Sequence, residues 1–65
     1  MKKIVILDYY GGEVFIIEDF PMFYDVNGDF ELNTMLEFLS EEHEIDLEEE
    51  DVCFMITGSS VINIL

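Results

Sequence analysis

Residues 2–20 read KKIVILDYYGGEVFIIEDF, two apolar runs at 4–7 and 14–17 on either side of the pair Gly11-Gly12. β-Branched and aromatic residues suit a pleated surface and glycines suit a reversal, so the stretch predicts a β-hairpin. Both runs are continuously apolar rather than alternating, the pattern of strands covered on both faces. One helix cannot cover both faces of so small a sheet. A self-association surface is the expected second cover, and the chain is expected to be a homodimer.

Working outward, Pro21 ends the second strand, because it has no N–H for a ladder and biases Phe20 towards extended geometry. In MFYDVNGDFEL, residues 22–32, Asn27-Gly28 is the dipeptide favoured by a two-residue type I′ turn, so this segment is either a second small hairpin or an irregular connection. From Asn33 or Thr34 the spacing becomes helical. Met35, Leu36, Phe38 and Leu39 form a one-sided stripe, Thr34 and Glu37 suit a capping box, and the helix is expected to reach about His43. Asp46 is a good N-cap, so the helix is expected to continue or restart through DLEEED, residues 46–51. DVCFMIT, residues 51–57, reads as a third strand, and SVINIL, residues 60–65, as a fourth after a tight turn at GSS. The expected architecture is a single α+β domain over residues 1–65, a small antiparallel β-sheet in ββαββ order with one helix packed on one face. Phe15, Phe20, Phe30, Phe38, Phe54, Met35 and Met55 are expected inside it.

Composition bounds the function. The 65 residues carry sixteen acids against two lysines, Lys2 and Lys3, for a formal charge of -14, yet 51% of them are hydrophobic. That is too apolar for a disordered acidic tail. A chain this short buries only about 60% of the surface its unfolded form exposes, which leaves little room for a deep catalytic cleft. Direct nucleic-acid binding is disfavoured because phosphate recognition relies on Lys and Arg, and anionic membranes are disfavoured on the same ground. MKKIVIL begins like a secretory signal but meets Asp8, and no stretch approaches the roughly 18 apolar residues of a membrane span. Cys53 has no second cysteine with which to form an internal disulfide. The expected location is the cytoplasm, of a cell or of the host of a mobile element.

The most unusual feature is SEEHEIDLEEED, residues 40–51, with eight carboxylates in twelve positions and no Lys or Arg. As a helix the run would span about 18 Å, a length over which duplex DNA carries about ten phosphates. Extended, it would stretch to about 40 Å and fall well below half that density. Compactness is therefore a condition for imitating nucleic acid. The plain alternative is a solvated face that keeps an apolar domain soluble and guards its strand edges. Solubility alone, however, is met by a net charge of magnitude about 2 to 8, which this chain exceeds.

In size, acidity and the run EEHEIDLEEED, residues 41–51, the chain resembles the short acidic proteins that phages and mobile elements encode against host defences, including anti-CRISPR and anti-restriction DNA mimics. Those proteins share no common fold. The resemblance implies inhibition by occupying a basic, nucleic-acid-binding surface of a defence protein, although some proteins of that kind act through neutral contacts instead. On the charge reading, Glu41, Glu42, Glu44, Asp46, Glu48, Glu49, Glu50 and Asp51 stand in for phosphates. Tyr9, Tyr10 and Tyr24, near the two turns, are candidate aromatic anchors for the same partner.

Other chemistry finds weaker support. Asp25, Asn27, Asp29 and Glu31 offer oxygens at alternate positions, but counted from Asp25 an EF-hand loop would need Gly where Phe30 stands and Glu where Leu36 stands. Cys53 lies in an apolar run and reads as a buried, inert thiol. His43 reads as a helix-end residue that offsets the dipole. Nothing marks Ser59 or Ser60 as activated. The expectation is a non-enzymatic interaction protein without cofactor or metal, facing a basic protein. The alternatives are a homo-oligomeric assembly module whose acids only solubilise, and an antitoxin-like regulatory partner.

Self-repulsion at this net charge destabilises the folded state, and salt screens it. The melting temperature is expected to rise by several degrees from low to moderate ionic strength; thermal unfolding followed by circular dichroism at two salt concentrations checks this.

Overall fold

The computed structural model describes residues 2–58 and 63–65. Strand β1, Lys3–Asp8, pairs antiparallel with β2, Glu13–Glu18, and on its other side with β3, Val52–Thr57, giving the order β2-β1-β3. One helix, α1 at Leu32–His43, lies between β2 and β3 in the chain. Since β1 runs antiparallel to both neighbours, β2 and β3 run the same way. The chain must therefore cross one face of the sheet between them, and the helix it carries covers that face. The fold is α+β, with one helix on a small antiparallel sheet. The fourth strand expected over 60–65 begins outside the described residues, and residues 63–65 carry no strand.

The hairpin closes on Asp8. This buried carboxylate accepts the backbone N–H groups of Tyr10 at 3.1 Å and Gly11 at 3.0 Å, while the Asp8 carbonyl accepts Gly12 N–H at 2.9 Å. A Cβ at position 11 would collide with the Asp8 carboxylate, and Gly12 has φ +67°, so the glycine pair is required by contact and by backbone geometry respectively.

After β2, Pro21 opens a one-turn 3-10 helix, Pro21–Phe23, which carries Phe23 under the sheet. There Phe23 joins Ile4 and Ile6 of β1 and Met35 and Leu39 of α1 in a fully buried nucleus. Phe20, Phe30 and Phe38 surround it with centroids at 5.8, 6.1 and 5.4 Å and edge-on geometry. Burying a Phe of this kind contributes roughly 2 to 3 kcal/mol. Sequence spacing alone did not single out Phe23, because its burial depends on the turn that Pro21 begins. Phe15, Phe20, Phe30, Phe38 and Phe54 pack around this nucleus as expected. Met55 does not; it is 59% exposed, on the opposite face of the sheet.

The connection 24–31 forms a single antiparallel bridge between Tyr24 and Phe30. Its turn closes from Gly28 N–H to the Asp25 carbonyl at 3.0 Å, which makes Val26 and Asn27 the central pair. Asn27-Gly28 is thus not a two-residue type I′ loop; Gly28, at φ +84°, follows the turn. The Asp25 carboxylate folds inward and accepts the N–H groups of Asn27 at 2.8 Å and Asp29 at 2.9 Å.

The helix also starts earlier than expected. Glu31 N–H is bonded to the Phe23 carbonyl at 2.6 Å, which delivers the chain directly into α1 at Leu32. Thr34 is then the third helical residue rather than a cap, and Glu31 before the helix makes no side-chain capping bond. At the other end Glu44 adopts the left-handed conformation at φ 57°, and its N–H reaches the Leu39 and Ser40 carbonyls. Ile45 N–H returns to Leu39 at 3.1 Å, so the helix ends here and does not continue through DLEEED. Asp46 caps no helix; its Oδ1 accepts the Ser40 hydroxyl at 2.7 Å.

A left-handed non-glycine residue costs about 1 to 2 kcal/mol. Glu44→Gly is expected to stabilise the fold by about 1 kcal/mol over Glu44→Gln, which removes the same charge without freeing the backbone. Urea unfolding of the two variants measures the difference.

Candidate interaction surfaces

Two surfaces stand out, on opposite sides of the sheet. The first is built from the acidic run. Residues 41–43 end α1, Glu44 reverses the chain, residues 45–48 lie outside any helix or strand, and Glu49–Asp51 form a 3-10 turn that leads into β3. Between the reversal and that turn the side chains alternate. Ile45 and Leu47 are half-buried against the core, while Glu44, Asp46 and Glu48 are exposed. This alternation straps the segment to the body by its apolar residues and directs its acids outward. The bond from Ser40 to Asp46 ties it to the helix as well.

The result is a compact anionic patch. Asp46, Glu48, Glu49 and Glu50 line one shallow open depression together with Glu37 from α1, with Leu36 and Leu47 among the lining residues. Asp51 and Asp8 join Asp46 and Glu48 around an adjoining depression that includes Tyr10. Glu41 and Glu42 border a third, where Glu37 is again a member. Glu37 thus bridges the helix-end acids and those of the strap, a role that reading the acidic run alone missed. The signal was present in the i, i+4 spacing of Glu37 and Glu41 on one helix face.

The run is neither one helix nor an extended chain: it ends α1, reverses at Glu44 and closes in the 3-10 turn before β3. Seven of its eight acids are exposed, and Asp51 is half-buried. Among the described residues, no group of three or more His, Cys, Asp or Glu side chains is arranged to hold a metal ion.

The tyrosines divide. Tyr9 and Tyr10 are exposed on the hairpin turn, with Tyr9 N–H anchored to the Asp51 carbonyl at 2.9 Å, so this turn abuts the acidic patch. Tyr24 is half-buried, its ring edge-on to Phe30 at 5.4 Å and its hydroxyl donating to both Asp19 carboxylate oxygens at 2.8 and 2.9 Å. His43 ends the helix with its ring 5.6 Å from Phe38.

The second surface is the sheet face away from α1. Ile4, Ile6 and Asp8 point to the helix side, so Lys3, Val5 and Leu7 point to the other, beside Val14, Ile16 and Glu18 on β2 and Cys53, Met55 and Thr57 on β3. Leu7, Val14, Ile16 and Met55 are 38, 60, 47 and 59% exposed. Cys53 is exposed here too, which corrects the expectation of a buried thiol. Hydrogen-bonding and charge interaction with the Cys53 side chain, together with slight desolvation, hold the Tyr9 phenol above the ordinary tyrosine value of 10.0.

Compared with protein-family models, curated proteins and solved structures, the chain matches none. No described helix is long and apolar enough to cross a membrane.

The bond to Asp19, followed by desolvation and the charge of Asp19, raises the Tyr24 pKa above 10.0. A raised value means that the protonated phenol stabilises the fold; this contribution is complete below 10.0 and is lost as pH climbs from there through the raised value. Tyr24→Phe is expected to melt below the parent protein at neutral pH, with the gap shrinking at strongly alkaline pH. Melting curves of both chains across that range check it.

Proposed function

We propose that the chain is a non-enzymatic interaction protein that presents its acidic patch to a basic surface of another protein, where nucleic acid would otherwise bind. The observation that carries this reading is the strap itself. Ile45 and Leu47 hold it down, Ser40 pins Asp46, and Asp46, Glu48, Glu49 and Glu50 line one depression with Glu37. Concentrating like charges in this way costs stability, and a merely solubilising exterior gains nothing from the concentration.

In the mechanism that follows, long-range attraction from a chain of charge -14 steers the encounter with a cationic groove. The strap carboxylates then accept charge-assisted hydrogen bonds from the partner's Arg and Lys. Tyr10, 90% exposed beside the depression shared by Asp46, Glu48 and Asp51, is placed to add an aromatic contact at the rim. A phage or other mobile element gains from a protein of this kind by blocking a host defence enzyme, and the cytoplasm is where the two would meet. The same surface also suits an antitoxin-like regulator of a cationic effector.

The test is affinity capture from a bacterial lysate at low and high salt. The retained partner is expected to be a basic nucleic-acid-binding protein, to be lost at high salt and to be displaced by duplex DNA. Reversing Glu48, Glu49 and Glu50 to Lys is expected to weaken capture about 100-fold or more while circular dichroism stays unchanged. Capture that is indifferent to salt, to DNA and to this reversal overturns the proposal.

A further inference from the structure

The sheet face opposite α1 has an electrical character unlike the rest of the molecule. Its apolar centre is formed by Val5, Leu7, Val14, Ile16, Cys53 and Met55. Among the described residues its one carboxylate, Glu18, is paired with Lys3, one of only two lysines in the chain. A protein of charge -14 thus uses one of its few cations to neutralise this one face. The anionic patch lies on the helix side of the sheet. An open antiparallel face of a small domain normally alternates towards polar residues, and this one does not.

We propose that this face binds a second copy of the chain, forming an isologous homodimer in which two three-stranded sheets pack face to face. Charge selects the occupant. A basic partner is drawn to the acids on the other side and finds no unpaired carboxylate here, whereas a second copy brings an equally neutral, apolar face with the same twist. Aligned sheets with matching twist pack about 10 Å apart with their side chains interdigitated. A two-fold axis near Val5, the middle outward residue of the central strand, sets Val5 against its own counterpart. It also keeps the two acidic patches on the outer surfaces of the dimer.

The area is sufficient. Three strands of six residues make a face about 20 Å by 14 Å. Two such footprints come to about 560 Å², and the accessible area of the side chains that stand up from them, with the Tyr9 rims and the stems of Lys3, brings the buried surface to the order of 1,000 Å², the lower bound for a specific interface. Association of this size between like-charged chains is expected to be reversible and to strengthen with salt, the opposite of the dependence expected for capture of a basic partner.

The experiment uses the chain alone, by sedimentation equilibrium over a concentration series at moderate salt. The mass is expected to rise from 7.6 kDa towards twice that value. Ile16→Lys combined with Met55→Lys, at positions already open to solvent, is expected to weaken self-association about 100-fold with an unchanged circular dichroism spectrum. A second reading needs no substitution. Alkylation of Cys53 in the native protein is expected to slow as chain concentration rises, because the interface covers the thiol. A mass of 7.6 kDa throughout, or alkylation of Cys53 at a rate independent of concentration, overturns the dimer. The reversal of Glu48, Glu49 and Glu50 leaves the dimer mass unchanged, so failure of partner capture and failure of self-association are read separately.

Discussion

Ile4 and Ile6 leave the central strand towards one side only, and the rest of the molecule is arranged around that one-sided burial. Because β1 is hydrogen-bonded to a strand on each flank, its side chains are confined to the two faces of the sheet. One face receives Phe23, Met35 and Leu39, and with them the aromatic shell that closes the core. The other receives nothing from the described part of the chain. The described residues build one helix layer, so burial on one side leaves apolar surface on the other.

The charge distribution follows from the same asymmetry. The crossover from β2 to β3 must pass over the helix side, and the return leg from α1 to β3 carries six of the sixteen carboxylates, from Glu44 to Asp51. They are therefore set on the helix layer and its margin, while among the described residues the other sheet face carries one ion pair, between Lys3 and Glu18. Separating charge from apolar surface lets one small body offer two chemically distinct surfaces. It also limits the cost of self-repulsion, since the strap acids remain in water, where the dielectric is high. The αL conformation of Glu44 is the hinge of this arrangement. It turns the chain back so that Ile45 and Leu47 reach the core and the acids between them do not.

The hairpin, the helix at its middle and the third strand were legible because each rests on local chemistry: β-branched runs around a glycine pair, an apolar stripe at helical spacing, and an apolar run after the acids. The errors share a cause. Thr34 reads as a cap until the long-range bond from Glu31 to Phe23 starts the helix earlier. Asp46 reads as a cap until Ser40 claims its carboxylate. Cys53 and Met55 read as core because they sit in an apolar run, yet alternation along β3 turns both away from the helix. The E-I-D-L-E alternation at 44–48 was visible in the chain, but a dense row of acids after a helix reads equally well as more helix.

By itself, then, the amino-acid sequence determined the secondary-structure types, the α+β class and the excess of negative charge, because strand propensity, helical spacing and net charge are properties of neighbouring residues. Only the tertiary structure decided which of the apolar residues lie inside, that Asp46, Glu48, Glu49 and Glu50 line one depression with Glu37, and that the described residues leave one sheet face uncovered, with Glu18 paired to Lys3 on it. Each of these depends on which side of β1 a distant segment crosses. That choice is made by Phe23, Met35 and Leu39 closing on Ile4 and Ile6 across sequence separations of up to 35 residues.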